Sequence, residues 1–279
     1  MKTMVRSLFS NLEHMIPDGN DTNSTLLEDC YKINTKDCSW RTPQDLKCKK
    51  ILKNESWREK GNYDCVMKIY DKKNLKFNNM RKVSVSTDAY YSFVANDIEG
   101  VQKLVDYLED DDNVYLVYQN TPDKSQNLKT FIAKKYAKKI LVDGKKVPYE
   151  NVSIEVFRKI TITLLELFNH GIVNKSLTPE NIAIDSSFKP LLINFKFSNI
   201  PENEHKKEWE SLMNQIGLLL FELWMGHSLE DVKDLQFFLS SNEDIAIPDP
   251  ISEFLQKTLN GSIKHTDFYK LFDKFFDKI

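Results

Sequence analysis

A chain of 279 residues, 41% hydrophobic and 29% charged, can bury a large core and has the composition of an ordinary globular protein. Its 39 basic and 41 acidic side chains leave a net charge of −2, so no global field favours nucleic acid or anionic membrane, and nucleic acid is not expected as a partner. No apolar run reaches the roughly 20 residues that span a bilayer, so no transmembrane segment is expected. Arg6, Asn11, Glu13 and His14 break the apolar core that a signal peptide would need near the start. The expected compartment is the cytoplasm; the alternative is an exported effector whose leader is not part of this chain.

Residues 1–45 are polar and rich in Asn, Asp and Thr, which reads as an extension ahead of the fold with a short helix near Val5–Met15. The four cysteines (Cys30, Cys38, Cys48, Cys65) fall in the first quarter without a C-x-x-C pair, which argues against zinc. Free thiols in a reducing compartment and a Cys30–Cys38 disulfide in an exported protein both stay open. From about Leu46, LKCKKILK and WREKGNYDCVMKIYDKKNL read as strands joined by a polar turn. Residues 85–112 read as a helical stretch, LEDDDNVYLVYQ as a turn and strand, and Asp110–Asp112 as a solvated turn. The segment after Thr121 holds a further helix and eight lysines between Lys124 and Lys146. These form a solvated basic face, the one local charge concentration fit to mark a partner surface.

Val152 to His170 carries a wide apolar stripe, Ile154, Phe157, Ile160, Ile162, Leu164, Leu165 and Phe168, as a helix buried on most of its circumference requires. An HGIV turn follows, then an eight-residue loop, two short apolar strands and a sharp polar turn. The apolar helix LMNQIGLLLFELWMG comes next, and amphipathic segments through Phe254, Leu255, Phe268, Leu271 and Phe275 close the chain.

This order over residues 160–198 resembles the catalytic-loop region of eukaryotic protein kinases, H-R-D-L-x-x-x-N followed by D-F-G. Asn174-Lys175-Ser176 stand at H-R-D; Leu177, Pro179, Glu180 and Asn181 agree with the family loop; Asn194-Phe195-Lys196 stand at D-F-G. Cys65-Val66-Met67-Lys68 resembles the V-A-I-K strand, and Gly217, Glu222 and Gly226 keep the register of the family's central helix, where Leu212 replaces the aspartate that braces the loop. The resemblance implies an α+β, two-lobed protein-kinase-like fold. Residues 46–118 would be a small β-rich lobe, and residues 119–279 the hinge and a larger α-helical lobe with a truncated activation segment lacking A-P-E.

The same resemblance implies lost chemistry. The loop aspartate takes the substrate hydroxyl's proton and the turn aspartate binds magnesium; Ser176 is neutral, and Asn194 offers an amide without charge. Thr178 replaces the lysine that steadies the transferred phosphate. The phosphate-covering loop, sought between Leu52 and Cys65, holds Trp57, Arg58 and Glu59 and only one glycine, Gly61. Asp88 is the candidate for the helix acid that pairs with Lys68. The expectation is a pseudokinase: catalytically inactive, without a metal site, and working as a protein-binding scaffold or regulator, with an active kinase among its candidate partners. It requires no cofactor; ATP, with weak or no magnesium dependence, would meet Lys68, Tyr118, Gln119, Asn181 and Asn194. The alternative is an ATP-using enzyme of unconventional chemistry, with Glu180 or Asp185 standing in for the missing acids. A third reading is an unrelated α/β binding protein.

Overall fold

The computed structural model describes residues 4–7, 25–26, 31–34, 45–50, 64–80, 83–122, 125–134, 139–142, 145–175, 177–194, 196–229, 247–260 and 263–279. Contacts divide the chain into two units, Met1–Pro122 and Asp123–Ile279.

The first unit holds β1 (Met4–Ser7), β2 (Thr25–Leu26), β3 (Tyr31–Asn34), β4 (Asp45–Lys50), β5 (Asp64–Asp71), β6 (Phe77–Met80), β7 (Val83–Ser86), α1 (Thr87–Val94), β8 (Leu104–Glu109) and β9 (Asn113–Gln119). Seven of these strands form one antiparallel sheet in the order β2-β1-β8-β9-β5-β4-β3. The centre falls on β5 and β9 because their apolar residues are consecutive: Cys65, Val66 and Met67 on one, Val114 to Tyr118 on the other, all buried. Register pairs Val66 with Tyr118 and Lys68 with Leu116. The strands expected from LKCKKILK and DCVMKIYD are β4 and β5, paired Leu46 to Met67.

Two expectations are corrected here. Met4–Ser7, placed in a short helix near Val5–Met15, is a strand with Arg6 opposite Glu109 and Ser7 opposite Leu108; the rest of that stretch lies outside the described residues. A strand that covers an edge draws on backbone groups rather than on apolar periodicity, so polar composition concealed it. The helical stretch over 85–112 is also shorter. Ser86 caps α1 by accepting from the Ala89 N–H at 3.3 Å, and a 3-10 turn ends it at Asp97. The Asn96 amide then clasps Leu104, donating to its carbonyl at 2.8 Å and accepting from its N–H at 2.7 Å. That double bond imitates a strand partner, and residues 104–109 leave the clasp as β8.

The second unit holds β10 (Gln126–Asn127), α2 (Leu128–Ile132), β11 (Lys139–Val142), β12 (Lys145–Pro148), α3 (Tyr149–Asn169), β13 (Ile172–Asn174), β14 (Ile182–Ile184), β15 (Pro190–Leu192), β16 (Phe197–Asn199), α4 (His205–Met225), α5 (Asp249–Leu259) and α6 (His265–Lys278). The apolar stripe is α3, with Phe157, Ile160, Leu164 and Phe168 in the core; Ile162 is the exception at 46% exposed. Phe157 meets Phe254 of α5 and Phe275 of α6 edge-on, at 5.7 and 6.1 Å between ring centres, a preferred arrangement of aromatic quadrupoles. The Trp209 indole N–H of α4 donates to the Ile263 carbonyl at 2.8 Å. Gly226, at φ 83°, ends α4 with its N–H on the Glu222 carbonyl at 2.9 Å, the left-handed cap that glycine accepts most readily.

The lysine-rich segment differs from the helix expected there. Asn127 caps only the five residues of α2, and Lys139–Val142 pairs with Lys145–Pro148 as a hairpin. Asp143-Gly144, between KILV and KKVP, is a two-residue hairpin signal that the lysine count obscured.

Helices α4 and α5 approach closely at Gly217, where a Cβ would lie 2.6 Å from Thr258 Oγ1 and 2.8 Å from Leu259. Thr258 Oγ1 donates to the Phe254 carbonyl at 2.9 Å and is not free to yield. Gly217→Val is expected to cost about 3 kcal/mol through overpacking, read as a lower urea midpoint. On the exposed side, Lys257 and Lys274 both donate to Glu253, each at 2.9 Å, and their hydrogen bonds hold its carboxyl down to about 2, from an ordinary 4.5. A lowered carboxyl stabilises the fold above its ordinary range and ceases to do so as pH falls through the lowered value. The stability difference between the wild type and Glu253→Gln is therefore expected in full at pH 6 and gone near pH 2, measured by thermal melts at low salt.

Candidate functional site

The kinase-like positions fall into two groups, one in each unit. In the first, Lys68 on β5 is 7% exposed, and its ammonium lies over the Tyr118 ring of β9, 5.0 Å from the centroid. A desolvated contact of this kind is worth about 2 kcal/mol. Tyr118 is itself buried, and its hydroxyl is 3.2 Å from Ser92 Oγ on α1. Gln119 has its side chain at the surface, while its N–H donates to the Lys103 carbonyl at 2.9 Å and its carbonyl accepts from the Gln102 amide at 2.8 Å. Asp88 sits in the first turn of α1, where its carbonyl accepts from Ser92 Oγ at 2.6 Å. The expected phosphate-covering stretch, with Trp57, Arg58, Glu59 and Gly61, lies outside the described residues. In kinases the lysine is on the third strand, and β5 is third in the β3-β4-β5 meander. The connection between its first two strands, residues 35–44, has no glycine.

In the second unit the loop hangs between β13 and β14, and the polar turn between β15 and β16. Strand pairing fixes their relation: Asn174 lies opposite Phe197, the Lys175 N–H donates to the Lys196 carbonyl at 2.8 Å, and Asn174 Oδ1 accepts from the Lys196 N–H at 3.3 Å. Ile193 donates to the Asn181 carbonyl at 2.8 Å, and the Asn181 N–H to the Thr178 carbonyl at 2.9 Å. Asn174, Lys175, Thr178, Asn181 and Asn194 are thus gathered around one loop and turn, with Thr178 exposed and Asn194 half-buried. Ser176 and Phe195 lie outside the described residues. Asn194 has φ 51°, a left-handed conformation that asparagine tolerates better than most residues. Backbone shape as well as metal chemistry therefore bears on the residue at this turn.

Lys175 is the cation of the loop, and it donates to both carboxylate oxygens of Glu208 on α4. Glu208 is 8% exposed, and Leu212, one helical turn further along, is buried at 6%. Residues four apart share a helix face, so Glu208 braces the loop one turn before Leu212, where the resemblance leads one to expect the bracing acid. Sequence reasoning recorded the loss at Leu212 and missed the gain. An acid at Glu208, four residues ahead of Leu212, with a lysine where the family loop has its arginine, was the available signal.

The two acids proposed as stand-ins are already engaged. Lys129 of α2 pairs with Glu180 at 2.7 Å, and this hydrogen bond holds the Glu180 carboxyl below its usual range. Asp185 Oδ1 accepts from the N–H groups of Ser187 and Lys189 at 2.9 and 2.8 Å, which closes the β14–β15 turn. Glu222 is pushed up by burial and then by the Glu180 charge. Among the described residues no three His, Cys, Asp or Glu side chains are grouped as a metal ion would need; Asn181 and Asn194 could offer neutral oxygens only.

The brace predicts unequal mutational costs. Lys175→Ala leaves a buried carboxylate without its cation and is expected to cost about 3 kcal/mol. Glu208→Ala leaves Lys175, whose side chain is 44% exposed, able to turn to water, at about 1 kcal/mol. Urea denaturation of both variants checks the order; a larger cost for Glu208→Ala contradicts it.

No model of a known protein family matches the chain. It is 36% identical over 277 residues to "Uncharacterized protein 126R" of Invertebrate iridescent virus 6, a match covering 95% of this chain and 96% of that protein. Among solved structures, a crystal structure of Rad53 1–466 in complex with AMP-PNP superposes with a TM-score of 0.56 at 16% identity. That match covers 82% of this chain and 60% of the Rad53 chain; Rad53 is a kinase. The chain belongs to one family with the uncharacterized protein 126R of Invertebrate iridescent virus 6, and its fold is the α+β, two-lobed fold of the protein kinases.

Proposed function

We propose that the protein is a pseudokinase, a catalytically inactive kinase-like domain that works by binding another protein as scaffold or regulator. An active kinase is the first partner class to test. The observation that carries this reading is the loop itself. A base and a metal-binding acid are needed there for phosphoryl transfer, and Ser176 and Asn194 occupy those positions. The two charges that the loop does carry, Lys175 and Glu180, are bound to Glu208 and Lys129. Retained packing around altered chemistry fits a fold kept for its surface, although fold alone does not assign a role.

In this reading the protein requires no cofactor and acts in the cytoplasm. No helix among the described residues is long and apolar enough to cross a membrane. The alternative of unconventional ATP chemistry would need Glu180 or Asp185 as an acid, and the Lys129 pair and the Ser187–Lys189 turn give each of them a structural role.

The test is transfer of labelled γ-phosphate from ATP, with magnesium or manganese, to the protein itself and to generic protein substrates. It is paired with affinity capture from cells that express the protein, under quantitative mass spectrometry. The expected result is no transfer above a heat-inactivated control, together with a stoichiometric protein partner. Transfer that follows the pure protein through successive columns would overturn the reading.

A further inference from the structure

The four cysteines all fall in the first quarter of the chain, and the sheet of the first unit brings two of them into register. Strand β4 has β3 on one flank and β5 on the other. Cys48 of β4 stands opposite Ile33 on the β3 side and opposite Cys65 on the β5 side. Cys65 has Gln119 of β9 as its other partner. Among the described residues this is the one place where two cysteines are paired across strands. Opposed residues of an antiparallel pair share a face of the sheet, with Cα atoms about 4.5 or 5.5 Å apart. A disulfide spans about 4.4–6.8 Å between Cα atoms, so either spacing admits one. Cys65 is a thiol and is 1% exposed; β4 is one strand nearer the sheet margin.

We propose that Cys48 and Cys65 are a redox-sensitive pair that forms a reversible disulfide between β4 and β5, with glutathione disulfide as the oxidant. Cys48, as thiolate, attacks one sulfur of glutathione disulfide; that S–S bond breaks, and one glutathione leaves with the proton that Cys48 has lost. The Cys65 thiolate then attacks the Cys48 sulfur, and the second glutathione leaves with the proton of Cys65. The cysteine pair gives up two electrons and two protons, and one glutathione disulfide becomes two thiols. Burial of Cys65 assigns it the second step, which is intramolecular and needs no access for an outside molecule. Cβ atoms of opposed residues lie about 4.5–5.5 Å apart and must close to about 3.8 Å, a strain that makes the bond easier to reduce. Inside cells such bonds are transient and follow the redox state of the compartment. The bond closes residues 49–64 into a covalent loop and pins the strand that carries Lys68 to its neighbour. It is independent of the pseudokinase reading.

The test equilibrates the reduced, native full chain without oxygen in glutathione buffers with a rising share of glutathione disulfide. Remaining thiols are then alkylated in denaturant, and the protein is peptide-mapped by mass spectrometry without reduction. The expected result is a Cys48–Cys65 linked peptide whose share rises with glutathione disulfide and is lost again when dithiothreitol is added to the native protein. A variant carrying Cys30→Ser and Cys38→Ser is expected to give the same linked peptide over the same range of buffers. If that variant does not fold, the wild-type map decides by itself, because each linked peptide identifies its two cysteines. The proposal is overturned if Cys48 and Cys65 are both alkylated at the most oxidising ratio. It is equally overturned if either one links chiefly to Cys30 or Cys38, if the reaction stops at a mixed disulfide with glutathione, or if dithiothreitol leaves the native bond intact. None of these outcomes depends on phosphoryl transfer, so the pseudokinase reading stands or falls separately.

Discussion

A carboxylate withdrawn from water must have a cation, because desolvation otherwise costs several kcal/mol. Glu208 meets that demand with Lys175, and much of the second unit follows from the pairing. It ties the start of the loop to α4, while the backbone bonds between residues 174–175 and 196 tie the loop to the polar turn. Helix α4 is in turn locked to the C-terminal helices through Gly217 and the Trp209 indole. Loop, turn and helices therefore form one mechanically continuous body, in which the Lys175–Glu208 pair joins the loop to α4.

The frame of a kinase loop is retained by parts that do not perform chemistry. Pro179, Glu180 and Asn181 form a short 3-10 turn, Asn181 carries the Ile193 backbone bond, and Glu180 clasps α2. Each of these side chains or backbone groups has a packing or pairing task that survives when the adjacent base is lost.

Legibility in the sequence followed the physics of each element. Helix α3 was plain because thirteen of its residues are buried, and only a sustained apolar stripe produces that burial. The loop and turn were plain because their order and spacing survive even where their charges do not. Strands β1 to β3 were hidden, since pairing at a sheet margin uses backbone groups and leaves composition free to be polar. Strand β8 was hidden by Asn96, whose amide acts as a piece of strand from within a helical turn. The 139–148 hairpin was hidden by its lysines, and the Glu208 brace by a displacement of one helical turn, which no alignment of motifs reports.

Strand β1 has one further consequence. It joins the sheet through Arg6 and Ser7, opposite the far end of β8, so the first residues of the unit close against nearly its last. Contacts between such distant positions form late, since the intervening loop must lose its freedom first. A nascent chain therefore leaves the ribosome with β8 still unmade and β1, already able to meet β2, with its other edge open for most of the synthesis of the unit. Until they meet, each is an open edge of the kind that pairs with strangers, and the completed fold is also the step that closes both.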